Sequence, residues 1–142
     1  MIDLVGEYHH KLDSKGRVSL PSDFRKVLSK DLKVSLSPEN DCLYVFEPEG
    51  FTAWVDSVFQ ANGGYRANNA KDIKMRRWLN SRARGVELDN AGRIGISADH
   101  REKAGLCKEV VLVGNTDHLE IWDAHRWEAF NDSIDVNDLF CD

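Results

Sequence analysis

Leu12-Asp13-Ser14-Lys15-Gly16-Arg17-Val18 returns 76 residues later as Leu88-Asp89-Asn90-Ala91-Gly92-Arg93-Ile94. The echo runs on without a net gap. Asp23 and Arg25 align with Asp99 and Arg101, and Val34 and Leu36 with Val110 and Leu112. Asp41, Leu43, Val45 and Phe46 align with Asp117, Leu119, Ile121 and Trp122. Self-similarity at a fixed spacing decides architecture before any single element does. It predicts two copies of one small unit, folded against each other as a pseudo-dimer. Copies of roughly 50–60 residues are marginal alone, so the two are expected to share one core. The chain divides into a first repeat over 1–64, a linking helix over 65–82, a second repeat over 83–135 and an acidic tail over 136–142.

Each copy opens with the signal of a β-hairpin. Tyr8, His10 and Leu12 alternate with polar neighbours, the turn Asp13-Ser14-Lys15-Gly16 follows, and then Val18 and Leu20 alternate with Arg17 and Ser19. Period-two alternation on both sides of a turn predicts two antiparallel strands. Asp opening and Gly closing suit a type I turn. The second copy repeats this with Val86, Leu88, Asp89-Asn90-Ala91-Gly92, Ile94 and Ile96. A short helix is expected over Ser22–Leu28, opened by Pro21 or Ser22. Another is expected over Ser97–Ala104, with Ser97 as N-cap and Gly105 as C-terminal stop. Strands are expected at Leu32–Leu36, Leu43–Phe46, Glu109–Val113 and Leu119–Trp122. Phe51, Trp54, Val55, Val58 and Phe59 form one apolar helix face, and Trp127, Phe130 and Ile134 repeat it. Trp54 and Trp127 are expected on core or interface faces. A further helix is expected over Ala70–Arg82, and the tail after Asp132 is expected to be frayed.

With 42% hydrophobic and 30% charged residues, the composition is that of a soluble globular protein. No apolar run approaches the roughly 18–20 residues of a membrane span, and Met1–Glu7 lacks the pattern of a signal peptide. Cys42, Cys107 and Cys141 are odd in number and far apart, which argues against disulfides or structural zinc and for a reducing cytoplasm. The net charge of −5 conceals a strong asymmetry. Basic residues dominate from His9 to Lys33 and from Arg66 to Arg84, and acidic ones dominate from Asp117 onward.

No catalytic constellation, nucleotide-phosphate loop or metal-ligand spacing is present, so neither an enzyme nor a cofactor is expected. His9 and His10 are adjacent and point to opposite strand faces, so they cannot chelate together. What remains is Asp-x-x-x-Arg at each turn. Asp13 with Arg17, and Asp89 with Arg93, can fix a turn without touching any ligand, so Asp13, Gly16, Asp89, Gly92 and Arg93 read first as a structural turn motif. The two copies differ in charge. Lys11, Arg17 and Ser19 fall on the polar strand face, and Lys15 sits at the turn tip. The second copy has Glu87, Ala91 and Gly95 where the first has Lys11, Lys15 and Ser19. If a polyanion binds, it binds the first copy. A two-stranded ribbon fits the DNA major groove, where Arg can pair with guanine while Lys holds phosphates. One such ribbon binds weakly, so several copies on repeated DNA sites are expected to act together.

From about Gly6 to Trp127 the chain resembles the MraZ family, bacterial transcriptional regulators of the AbrB/SpoVT-like superfamily. The resemblance is carried by Gly6-Glu7-Tyr8, Leu12–Pro21, Phe24-Arg25, Glu87-Leu88-Asp89, Gly92-Arg93-Ile94, Ala104-Gly105-Leu106, Lys108–Gly114, Glu120–Asp123 and Trp127. It implies an α+β fold, a double-split β-barrel made of two tandem repeats with flanking helices. It implies ring-shaped homo-oligomers, often octameric, that bind direct repeats in double-stranded promoter DNA of the division and cell-wall gene cluster as repressors. A cytoplasmic, nucleoid-associated protein follows. The family's DNA-binding arginine lands on Arg17, with Lys15 beside it. The alternative is an oligomeric protein-interaction module without DNA specificity, built on apolar helix faces such as Phe51, Trp54 and Phe59.

Overall fold

A computed structural model describes residues 2–141. The first Asp-x-x-x-Arg turn lies between β1 (Glu7–Lys11) and β2 (Arg17–Ser19). The second lies between β5 (Ala83–Glu87) and β6 (Arg93–Gly95). Short helices follow, α1 (Ser22–Arg25) and α4 (Ala98–Lys103). Each copy then runs through a strand pair, β3 (Asp31–Leu36) with β4 (Leu43–Phe46) and β7 (Glu109–Asn115) with β8 (His118–Asp123). Helices α2 (Pro48–Ser57) and α5 (Ala124–Ser133) close the copies, and α3 (Ala70–Ser81) links them. Ser97 caps α4 by accepting from the His100 N–H at 3.1 Å, and Gly105 follows it in the left-handed region at φ 68°. The segment expected to fray is helical instead. α5 continues to Ser133, and α6 (Val136–Phe140) follows with the Asp135 side chain capping it.

The strands exist where alternation places them, but the expected hairpins do not. β1 pairs with β7, in the other copy, with Tyr8 opposite Leu112. β5 pairs with β3, with Val86 opposite Leu32. β2 leaves β1 altogether and pairs with β6, with Val18 opposite Ile94. Each copy thus lends its first strand to the other. The six-stranded sheet has the order β1-β7-β8-β4-β3-β5, and β2-β6 forms a separate two-stranded ribbon. This overturns the expected barrel. Among the described residues β1 pairs with no strand but β7 and β5 with none but β3, so the large sheet ends in two edges with four strands between them. A barrel requires those edges to pair with one another. The fold is α+β with one open sheet, one ribbon and helices.

A pseudo-two-fold axis relates the copies. It passes between Val18 and Ile94 in the ribbon and between Tyr44 and Glu120 where β4 meets β8. The copies also differ by a compensated slip. Val34 sits between Val45 and Arg84, whereas its spatial counterpart, between Ile121 and Tyr8, is Leu112 rather than Val110. The tighter β7–β8 turn, with Thr116 at φ 64°, absorbs the two residues. A two-residue slip leaves the same side chains facing the core, so apolar pattern is blind to it.

The main core draws on both copies. Leu12, Val18, Leu20 and Phe24 of the first pack with Ile94, Ile96, Val110 and Leu112 of the second. A second cluster lies under α2, where Phe51, Val55 and Phe59 bury against Phe46 and Leu79. Each such side chain contributes about 1.5–3 kcal/mol on leaving water. Trp54 is half-buried and stacks on Phe46, with ring centroids 5.4 Å apart, while Val58 of the same stripe faces outward. Trp127 packs edge-on against buried Trp122 at 5.4 Å. Among the described residues no helix is long and apolar enough to cross a membrane.

Candidate nucleic-acid interface

The Asp13 carboxylate builds the first turn. Its Oδ1 accepts from the Lys15 and Arg17 backbone N–H groups, each at 2.9 Å, and its Oδ2 accepts from Arg17 Nε at 2.7 Å. Gly16 donates its N–H to the Asp13 carbonyl at 3.0 Å and takes φ +75°, a conformation that costs a side-chain-bearing residue strain. The Arg17 backbone N–H bond, with the Arg17 side chain and the Lys15 N–H adding to it against some desolvation, lowers the Asp13 pKa to about 2. The second turn is built alike. Asp89 Oδ1 accepts from Ala91 and Arg93 N–H groups at 2.9 Å each, Oδ2 accepts from Arg93 Nε at 3.1 Å, and Gly92 has φ +77°. The Asp89 pKa is lowered for the same reasons, led by the Arg93 backbone N–H.

The β2–β6 ribbon joins the two turns. Arg17 lies opposite Gly95 and Ser19 opposite Arg93. The Leu20 N–H donates to the Gly92 carbonyl at 2.9 Å, and the Ile96 N–H donates to the Gly16 carbonyl at 2.8 Å. Each turn is therefore stapled by the copy it does not belong to. Arg93 Nη1 comes within 3.8 Å of Asp13 Oδ2, so Asp13 stands between two guanidinium groups. Val18 and Ile94 are buried beneath the ribbon, leaving Arg17, Ser19, Arg93 and Gly95 on its outer side.

Of the residues singled out from sequence, Arg17 and Ser19 share this outer face, and Lys15 is exposed at the tip. Arg17 commits its Nε to Asp13, and no hydrogen bond among the described residues uses its two terminal nitrogens. Lys11 is exposed but lies on β1, in the large sheet, opposite Glu109. Arg93, which the sequence offers as a turn residue of the second copy, is Arg17's neighbour across the ribbon. That proximity was hidden because the strand that carries Arg93 crosses to the other copy.

In the sequence Arg25 and Arg101 stand out as a repeated identity, Arg25 also within the family resemblance, and neither as a site residue. In the fold each lies over the turn glycine of the opposite copy. A Cβ on Gly16 would sit 2.7 Å from Arg101 Cζ, and one on Gly92 would sit 2.9 Å from Arg25 Cζ. Much of the basic Arg66–Arg84 segment serves the scaffold. Arg66 pairs with buried Asp72 at 3.0 Å, and Arg76 stacks on Tyr65 at 3.5 Å. Arg82 stacks on Trp78 at 4.0 Å and donates to the Ser37 carbonyl and to Asn40 Oδ1. Among the described residues no group of three His, Cys, Asp or Glu is placed to hold a metal ion.

The family model described as "MraZ protein, putative antitoxin-like" matches residues 4–72 and 79–140. The chain is 37% identical over 136 residues to a protein of Rhodococcus opacus (strain B4) named "Transcriptional regulator MraZ", covering 94% of this chain and 90% of that one. It is 39% identical over 128 residues to the protein of the same name from Spiroplasma kunkelii, covering 89% and 86%. It is 37% identical over 136 residues to that of Mycolicibacterium smegmatis (strain ATCC 700084 / mc(2)155), covering 94% and 90%.

Proposed function

The chain belongs to the MraZ family, a family of regulators rather than enzymes, and from that premise we propose that it is a sequence-specific DNA-binding repressor. The β2–β6 ribbon carries the reading, because it presents Arg17, Ser19 and Arg93 on one outward face with Lys15 at its tip. A two-stranded ribbon is narrow enough for the major groove, about 12 Å wide. Arg17 has two terminal nitrogens free of partners among the described residues and a side chain aimed by Asp13, the arrangement a bidentate guanine contact needs. Lys15 and Lys11 fit phosphates, which fix register without reading bases. Ser19 fits either role. Asp13, Gly16, Asp89, Gly92 and Arg93 hold the turns in this reading, with Arg93 also adding positive charge at the ribbon.

So few cations on one ribbon give modest affinity. The proposal therefore includes a ring-shaped homo-oligomer, an octamer by family likeness, engaging direct repeats so that one bound ribbon raises the effective concentration of the next. Phe130, Ile134, Val136, Leu139 and Phe140 stay in water on α5, on α6 and at the joint between them, which supports self-association. The promoter proposed is that of the division and cell-wall gene cluster, which would put the protein in the cytoplasm, on the nucleoid.

Titration of labelled promoter DNA by fluorescence anisotropy tests the reading. The folded Arg17→Ala protein is expected to lose specific binding, and wild-type affinity is expected to fall steeply with salt, the logarithmic slope reporting about 0.9 per phosphate contact. Unchanged binding by folded Arg17→Ala would remove Arg17 from the interface. A ring that ignores DNA at low salt would favour the interaction module instead.

A further inference from the structure

Two guanidinium groups in this molecule make packing contacts that their charge does not explain. Arg101 projects from α4 of the second copy onto Gly16 of the first turn, where a Cβ would meet its Cζ at 2.7 Å and its Nε at 2.8 Å. Arg25 projects from α1 of the first copy onto Gly92 of the second turn, where a Cβ would meet its Cδ at 2.6 Å. Neither side chain makes an ion pair among the described residues, and the Arg101 Nε is buried with no hydrogen-bond partner. A buried donor without a protein partner is costly to keep. A charged, planar group held at that cost against bare backbone is a wedge whose shape matters. The two contacts also cross the pseudo-two-fold axis, so each copy braces the other's turn.

We propose that Arg101 is a positioning residue for DNA recognition: by packing its guanidinium against Gly16 it holds the Asp13–Arg17 turn closed, and so aims Arg17, from the copy that does not carry it. Arg25 does the same for the Asp89–Arg93 turn. The DNA part of this proposal rests on the function proposed above; the brace itself does not. The glycine is required twice over, once for its positive φ and once for the space the guanidinium fills. Closure of the turn is read directly by three amide hydrogens, those of Lys15, Gly16 and Arg17, all donated to Asp13. The counterpart amides are those of Ala91, Gly92 and Arg93, donated to Asp89. A lysine would keep the charge at position 101 but lacks the planar fork.

Amide hydrogen exchange and DNA titration on full-length Arg101→Ala, Arg101→Lys and Arg25→Ala test this, with thermal melts confirming that each variant folds. In Arg101→Ala, exchange at Lys15, Gly16 and Arg17 is expected to quicken about tenfold while Ala91, Gly92 and Arg93 keep their protection. In Arg25→Ala the pattern is expected to reverse. Arg101→Lys is expected to behave as Arg101→Ala in exchange and to weaken DNA binding about tenfold with an unchanged salt slope. Equal loosening of both turns, or of neither, would overturn the brace. Arg101→Lys binding DNA as wild type does would overturn the positioning role, because charge alone would then suffice. Wild-type protein without affinity for DNA would overturn the functional reading beneath the proposal, and the crossed exchange pattern would still distinguish that failure from failure of the brace.

Discussion

Asp13 has one carboxylate and four donor groups around it, two backbone amides and two guanidinium groups, so the first turn depends on its charge. It is ionised at neutral pH and accepts from two backbone amides and Arg17 Nε, while Arg93 stands 3.8 Å away. Its folded pKa of about 2 lies below the roughly 3.9 of an unfolded Asp. The stability it contributes is therefore fully present above pH ~3.9 and is lost as pH falls through about 2. Asp13→Asn is expected to flatten that part of the acid limb, checked by urea melts at successive pH values between 5 and 2. The Asp, the Gly and the Arg of the turn were all legible from spacing, because turn chemistry is local. The meaning of Arg25 and Arg101 was not, since a guanidinium wedged on a distant glycine leaves no periodic signature.

Alternation placed the strands well, because burial on one face of a strand is written in its own residues. It could not name their partners. β1, β2 and β5 each pair with a strand of the other copy, and such pairing is decided by how two distant segments meet. The hairpins looked convincing because a turn does join β1 to β2; it merely turns the chain out of the sheet. The three-residue ribbon that results is held chiefly from below, through Val18 and Ile94, each 1% exposed. Ile94→Ala is expected to cost about 2–5 kcal/mol by leaving a cavity at the axis. Val58→Ala, at the exposed C-cap of α2, is expected to stay within about 0.5 kcal/mol. Chemical denaturation of both variants checks the contrast, and equal costs would mean that the ribbon is not anchored there.

Across the whole molecule, the repeat foretold a shared core, and it is shared: residues of both copies interleave in one cluster. The open sheet, in place of the expected barrel, follows from where the exchanged strands end up, at its two outer edges. Neither copy retains its own first strand, so neither holds a complete sheet. Two polypeptides divided at Gly63-Gly64 are expected to be largely unfolded apart and to regain the native circular dichroism spectrum when mixed. A half that folds alone would contradict the interleaved core.

The exchange of first strands has a consequence for how many chains one such unit contains. The contacts between copies are indifferent to whether α3 connects them, so the connection alone keeps both partners in one polypeptide. Shortening the segment between α2 and β5 until it cannot span that distance would sacrifice the packing of Leu79 under α2 but leave every strand pairing between the copies available, now only between different chains. The expected product is a domain-swapped dimer with the same ribbon at its centre.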